Sequence, residues 1–209
     1  MESIVVLDFE TTGLHPDQGD RITEVAALRL QHGKVVARYE SLVNCERRLS
    51  ASIRAFTGIN QRMIDAAPFP RNVFPELLRF IGADPVISHN AAFDQGFLDC
   101  ECERLHLQRI DNDFICTVQL ARRLLPDLAS HSLRALVRHF KLDDTAEHRA
   151  GPDAQATAQV LLKLCELAAT QLPQPHLDAA TLRWLACANN PSSMRNSNPV
   201  TGVHTARVA

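Results

Sequence analysis

The order of apolar and polar positions divides the chain into short strands first and helices afterwards. Residues 3–9, Ser-Ile-Val-Val-Leu-Asp-Phe, are β-branched and apolar on both faces, which predicts a buried central strand. Residues 21–31 and 34–44 predict two further strands around a turn at His32-Gly33. From Ser50 to Ile81 the periodicity is helical but punctuated by Pro68, Pro70 and Pro75, so two or three short helices broken at the prolines are expected. Pro85-Val-Ile-Ser-His predicts a short strand leading into a helix over 91–105. A last short strand is expected at 113–117, with helices near 117–125 and 131–140. An amphipathic helix then runs from Asp153 to Ala169, introduced by Gly151-Pro152, because proline suits a first helical turn where its missing N–H leaves no bond unmade. Leading strands followed by strand–helix alternation predict an α/β fold on a mixed sheet.

Beyond the long helix, Gln171-Leu-Pro-Gln-Pro reads as a linker. Leu182, Trp184, Leu185 and Cys187 share one apolar face of a short helix, expected to pack back onto its own domain rather than serve as a partner anchor. Residues 189–209 contain no acid, are rich in Asn, Ser and Pro, and read as a flexible tail.

Composition narrows the class. The 209 residues are 45% hydrophobic and 22% charged, an ordinary globular balance. No apolar run approaches the roughly 18 residues of a membrane span, and no basic segment followed by an apolar stretch opens the chain. A cytoplasmic location follows as the expectation, with Cys45, Cys100, Cys102, Cys116, Cys165 and Cys187 as reduced thiols. Cys100-Glu-Cys102 with Cys116 is too loose a pattern to predict structural zinc. The 22 basic side chains against 24 acidic ones give a net charge of -2, which argues against a non-specific nucleic-acid coat but not against an enzyme gripping one end through metals.

The candidate chemistry is carried by acids at the ends of elements. Asp8 and Glu10 share the face of Ile4 and Val6 at the carboxyl end of the first strand, where open α/β sheets place their sites. Asp153 heads the apolar stripe Ala156, Thr157, Val160, Leu161, Leu164, Leu167 and Ala168, and a charge on a buried face requires a partner or a metal. Asp94 falls in a first helical turn, in line with Leu98 and Leu105. Two carboxylates ~4 Å apart repel by about 4 kcal/mol at an effective dielectric near 20. Four brought together call for cations, and an all-oxygen set suits Mg²⁺ or Mn²⁺.

Three segments in this order, Asp8-Phe-Glu10-Thr-Thr-Gly-Leu14, His89-Asn-Ala-Ala-Phe-Asp94 and His148-Arg-Ala-Gly-Pro-Asp153, resemble the motifs of the DEDDh exonuclease family, in particular epsilon-type proofreading subunits of bacterial DNA polymerase III. Gly19-Asp-Arg-Ile-Thr-Glu-Val, Phe56-Thr-Gly-Ile and His131-Ser-Leu-Arg-Ala-Leu support the match, which covers about residues 3–170. The tyrosine subclass would need tyrosine at position 149, where this chain has Arg149; its only tyrosine is Tyr39.

The resemblance implies a ribonuclease-H-like fold, a five-stranded mixed sheet flanked by helices, over an exonuclease domain at 1–170, with 171–188 as linker and short helix. It implies two divalent cations, Asp8, Glu10 and Asp153 holding one and Asp8 with Asp94 the second, and His148 as general base. It also implies substrate contacts from Glu10, Thr11, Thr12, Gly13, Leu14, Phe56, Asn90 and Phe93. Thr57 stands where the epsilon-type pattern has histidine, so that histidine's contact is not implied here, and Pro152 is an uncommon neighbour for Asp153, placed to stiffen the His148 loop. The expected activity is 3′–5′ hydrolysis of single-stranded DNA releasing nucleoside 5′-monophosphates, with a DNA polymerase subunit as a candidate partner. RNA 3′-end trimming and a non-catalytic polymerase-associated module are the alternatives.

Overall fold

The computed structural model describes residues 3–143, 148–171 and 178–187. The elements run β1 (Ile4–Thr11), β2 (Ile22–Gln31), β3 (Lys34–Leu42), α1 (Ala51–Thr57), α2 (Gln61–Asp65), α3 (Pro70–Ile81), β4 (Val86–Ser88), α4 (Ala91–Arg104), β5 (Phe114–Cys116), α5 (Thr117–Leu124), α6 (Leu133–His139), α7 (Ala150–Gln171) and α8 (Ala179–Cys187). The strands form one mixed sheet in the order β3-β2-β1-β4-β5, with β1 antiparallel to β2 and parallel to β4. This is the five-stranded α/β arrangement expected of a ribonuclease-H-like fold.

The period-two alternation of β1 divides the core into two layers. Ile4 and Val6 join Ala26, Leu28 and Leu30 beneath α5, α6, α7 and α8, contributing to a cluster that includes Leu120, Leu136, Leu161 and Leu164. Val5, Leu7 and Phe9 face the opposite way, against Phe74 and Leu77 of α3 and Phe97 and Leu98 of α4. A smaller cluster of Cys45, Leu49, Ile59 and Ile64 anchors α1 and α2. Side-chain oxygens start the short helices: Ser50 accepts from the Ile53 N–H, Asn60 from Met63 and Ser132 from Ala135.

Three boundaries depart from the sequence expectation. Pro75 does not break a helix but lies a full turn inside α3, where the buried face of Val73, Phe74, Leu77 and Ile81 outweighs one missing N–H. The first strand continues past residue 9 to Thr11, so Glu10 stays in the ladder. The last long helix begins at Ala150 rather than Asp153, so Pro152 falls in its first turn, the position proline suits, and not in the His148 loop. Leu182 and Leu185 of α8 are buried in the same cluster as α5 and α7, and the Arg123 guanidinium lies over the Trp184 ring at 5.4 Å. Gln171 closes α7, while the rest of the linker segment and residues 189–209 lie outside the described residues.

Candidate active site

Asp8 and Glu10 leave the carboxyl end of β1 on the face that α7 crosses. Asp153, in the first turn of α7, meets them there, and ligand oxygens of Asp8, Glu10 and Asp153 all lie within 4.8 Å of one another. Asp94 arrives from the other layer. After β4 ends, Asn90 takes a left-handed φ of 73°, a conformation asparagine tolerates, and α4 begins at once. Asp94 therefore sits in a first helical turn, 2% exposed, where the backbone amides of Phe9 and of Asp94 itself partly offset the effect of burial on its carboxylate. All four acids line one cleft of about 290 Å³, together with His89 and His148. Asp94 belongs to this cleft but not to the tight triple.

Asp8, Glu10 and Asp94 hold their protons unusually firmly. Burial raises Asp8 well above the usual carboxylate range, and Asp94, Asp153, Glu10 and Glu24 add to it by repulsion. Glu10 is pushed up to about 7 by burial and by Asp153 and Glu24, with Arg149 opposing. Asp94 is raised chiefly by burial. Oxygen-only donors that repel one another this strongly fit a hard divalent cation, which would relieve the repulsion that burial magnifies.

His148 lies beside the acids, its Nδ1 4.0 Å from Asp153 Oδ2. Its ring stacks on Phe56 of α1, with centroids 3.8 Å apart and planes inclined by 21°. Partial burial and the nearby Arg134 lower its pKa, which favours the neutral imidazole. His89 is further buried, pulled down to about 4, and its Nδ1 lies 2.9 Å from Thr117 Oγ1.

Of the other residues implied by the sequence, Thr11, Gly13, Leu14, Phe56 and Phe93 line the cleft. Leu14 and Phe56 are 71% and 56% exposed, large apolar side chains open to solvent at its rim. Gly13 lacks a Cβ for a reason: one built there would lie 2.2 Å from an Asp20 carboxylate oxygen. That carboxylate accepts from Thr12 Oγ1 and the His15 N–H and so ties the loop presenting Leu14. Thr12 and Asn90 do not line the cleft; Thr12 holds this loop, and Asn90 shapes the turn into α4.

Phe9, Ile53, Thr57 and His89 line the cleft without having been singled out as site residues. Thr57 spends its hydroxyl locally, donating to the Ile53 carbonyl and accepting from the Ile59 N–H. Glu24 and Arg149 were also missed. Glu24 was legible as the lone acid of an otherwise apolar stretch of β2, whereas Arg149 carries no local signal.

A ribonuclease-H-like sheet with four carboxylates and a histidine at the carboxyl end of its central strand defines a nuclease-type site. The chain matches the RNase_T exonuclease family over residues 5–161 and belongs to that family. It is 37% identical over 177 residues to a DNA polymerase III PolC-type of Oceanobacillus iheyensis, covering 85% of this chain and 12% of that relative. The chain thus spans about an eighth of the length of such curated relatives. Among solved structures, Exonuclease X in complex with 5′-overhanging duplex DNA superposes with a TM-score of 0.68 at 28% identity, covering 88% of this chain and 99% of that one. E. coli Exonuclease I in complex with a dT13 oligonucleotide gives a TM-score of 0.71 at 18% identity, covering 82% of this chain and 42% of that one, a likeness of fold.

Proposed function

We propose that this exonuclease domain hydrolyses phosphodiester bonds from the 3′ end of single-stranded DNA, using divalent cations, and releases nucleoside 5′-monophosphates. The observation that carries the reading is the convergence of Asp8, Glu10 and Asp153 within 4.8 Å, with His148 next to Asp153 in the same cleft. DNA is favoured as substrate because the family relatives are DNA polymerases by name and Exonuclease X holds DNA in its structure. Association with a DNA polymerase is the setting those relatives suggest.

Asp8, Glu10 and Asp153 would hold one cation, and Asp8 with Asp94 a second, with Mg²⁺ or Mn²⁺ the ions an all-carboxylate set suits. When bound, the cations supply Lewis-acid activation of water and neutralise charge on the phosphate. Neutral His148 accepts the proton that the attacking water loses, and its stacking on Phe56 leaves the nitrogen-bearing edge of the ring available. The water oxygen bonds to phosphorus as the bond from phosphorus to the 3′ oxygen breaks. The shortened strand keeps a 3′ hydroxyl, and the departing nucleotide carries the phosphate on its 5′ side. Leu14 and Phe56 offer apolar faces at the cleft rim for the terminal bases to stack against.

Matched DNA and RNA oligonucleotides labelled at the 5′ end test both polarity and substrate. With Mg²⁺, a ladder of progressively shorter 5′-labelled DNA is expected, with RNA degraded more slowly. Release of the label as a mononucleotide at the outset would reverse the polarity, and faster degradation of RNA would shift the reading to 3′-end trimming.

A further inference from the structure

Glu24 lies opposite Glu10 in the ladder, yet its carboxylate is engaged by the chain segment that bears His148. Arg149 Nε donates to its two oxygens at 3.1 and 2.9 Å, and the Arg149 terminal nitrogen donates to Oε1 as well. The backbone N–H of Ala150, the first residue of α7, donates to Oε2 at 3.0 Å. First-turn amides of a helix have no intrahelical acceptor, and here a strand side chain supplies one. Two consecutive residues immediately after His148 are thus tied to a single carboxylate on the sheet. Exposed single-point ion pairs contribute little and fix little. A fork of guanidinium bonds plus a backbone N–H on a mostly buried carboxylate restricts both direction and distance.

We infer that Glu24 and Arg149 form a positioning clamp for His148: they fix the main chain next to it, while Phe56 fixes the plane of its ring. The inference rests on the reading of His148 as the proton acceptor. Neither residue touches substrate in this account; both act through the histidine. A displacement of about 1 Å in a catalytic group can cost on the order of 100-fold in rate, so the loss should appear in turnover rather than in binding.

The test compares Arg149→Ala, Arg149→Lys and Glu24→Gln in the wild-type and His148→Ala backgrounds, with single-turnover digestion of 5′-labelled DNA and with calorimetric titration of Mn²⁺ in the absence of DNA. Arg149→Ala should lower kcat about 10- to 100-fold with KM changed less than about threefold. Arg149→Lys keeps the charge but not the fork and should recover only part of the loss. Mn²⁺ affinity should stay within a few-fold, because Asp8, Glu10 and Asp153 remain. Above all, Arg149→Ala should add no further loss to His148→Ala, since the clamp has nothing left to position. Full kcat in Arg149→Ala, or an undiminished penalty in the His148→Ala background, overturns the clamp. Should Arg149→Ala fail to fold, Glu24→Gln, which keeps an acceptor oxygen, carries the same comparison. Asp8→Ala separates the two levels of the argument: if it is inactive while Arg149→Ala is normal, the clamp alone is wrong; if it is fully active, the site itself is misread and the clamp falls with it.

Discussion

Glu10 and Glu24 stand directly opposite one another across the β1–β2 ladder, their side chains on the same face, and Arg149 binds Glu24 while Glu10 is left with a pKa of about 7. Like charges in directly opposed positions weaken a sheet. Here the pairing persists because one carboxylate is engaged by the chain segment after His148 and the other belongs to a cluster suited to a cation. The repulsion among Asp8, Glu10 and Asp153 is a cost to the metal-free fold that the site's chemistry requires.

Protons and cations therefore compete for the same oxygens, and the stabilising effect of metal should depend on pH. Glu10, with a pKa near 7 against an ordinary 4.5, and the raised Asp8 and Asp94 must lose protons before they bind. In metal-free protein these groups bind protons better folded than unfolded, so the stability they contribute falls as pH rises, for Glu10 from about 4.5 through 7. His89, lowered from 6.5 to about 4, works in the opposite sense between those values, being protonated more readily when unfolded. Comparing melting temperatures with Mn²⁺ and with chelator at each pH cancels the His89 contribution. The increment should be small near pH 5 and grow to roughly 5 °C or more near pH 8 at saturating metal. An increment that shrinks with pH would exclude carboxylate ligation.

Phe56 should matter to substrate more than to the fold. It is 56% exposed, so Phe56→Ala should change stability by only about 0.5 kcal/mol. Losing a stacking surface worth about 1–3 kcal/mol per base should raise KM roughly 5- to 100-fold, with some fall in kcat from the freed His148 ring. Steady-state kinetics on single-stranded DNA check this; an unchanged KM would remove Phe56 from the binding surface.

The short helix α8 should behave as part of the core. Leu182 and Leu185 are each 1% exposed, and deleting a buried leucine side chain costs about 2–5 kcal/mol. Leu182→Ala and truncation after Gln171 should both lower the melting temperature markedly. If the truncated protein melts as the full chain does, α8 is not a structural element of the domain.

The loop that presents Leu14 is anchored at Arg21, the residue just before β2. Arg21 forms a two-pronged pair with Glu101 of α4 at 2.6 and 3.1 Å, and Arg104 adds a bond to the same carboxylate at 3.1 Å. Glu101 is fully enclosed, so removing Arg21 exposes it to a penalty of about 3 kcal/mol, whereas removing the more exposed Arg104 should cost under about 1 kcal/mol. Denaturant melts of Arg21→Ala and Arg104→Ala distinguish the two; equal effects would mean that the enclosed carboxylate does not depend on Arg21.

What could be read in the sequence follows from how local each signal is. The apolar run at residues 3–9 and the stripe below Asp153 pointed to the central strand and the long helix, because burial and period are properties of one element. The meeting of Asp8, Glu10 and Asp153, by contrast, was implied only by the resemblance of the three motifs. The behaviour of Pro75 was not legible, since it depends on how well Phe74 and Leu77 pack against the sheet. Nor was Glu24–Arg149, which joins residues 125 positions apart through a turn whose direction only the assembled sheet and helix define. Thr12 lay within the clearest motif yet supports the loop behind the cleft, because the turn at Gly13 directs its hydroxyl to Asp20.

The most direct measurement is the digestion of 5′-labelled single-stranded DNA by purified wild-type protein and by Asp8→Ala, each with Mg²⁺ and with excess chelator. Asp8 lies in the tight carboxylate triple and also feels the charge of Asp94, so no other single residue tests the whole cluster as well. The account predicts a shortening ladder only for wild-type protein with Mg²⁺, and none for folded Asp8→Ala under either condition. Equal ladders from Asp8→Ala and wild-type protein, or undiminished cleavage in chelator, would contradict it.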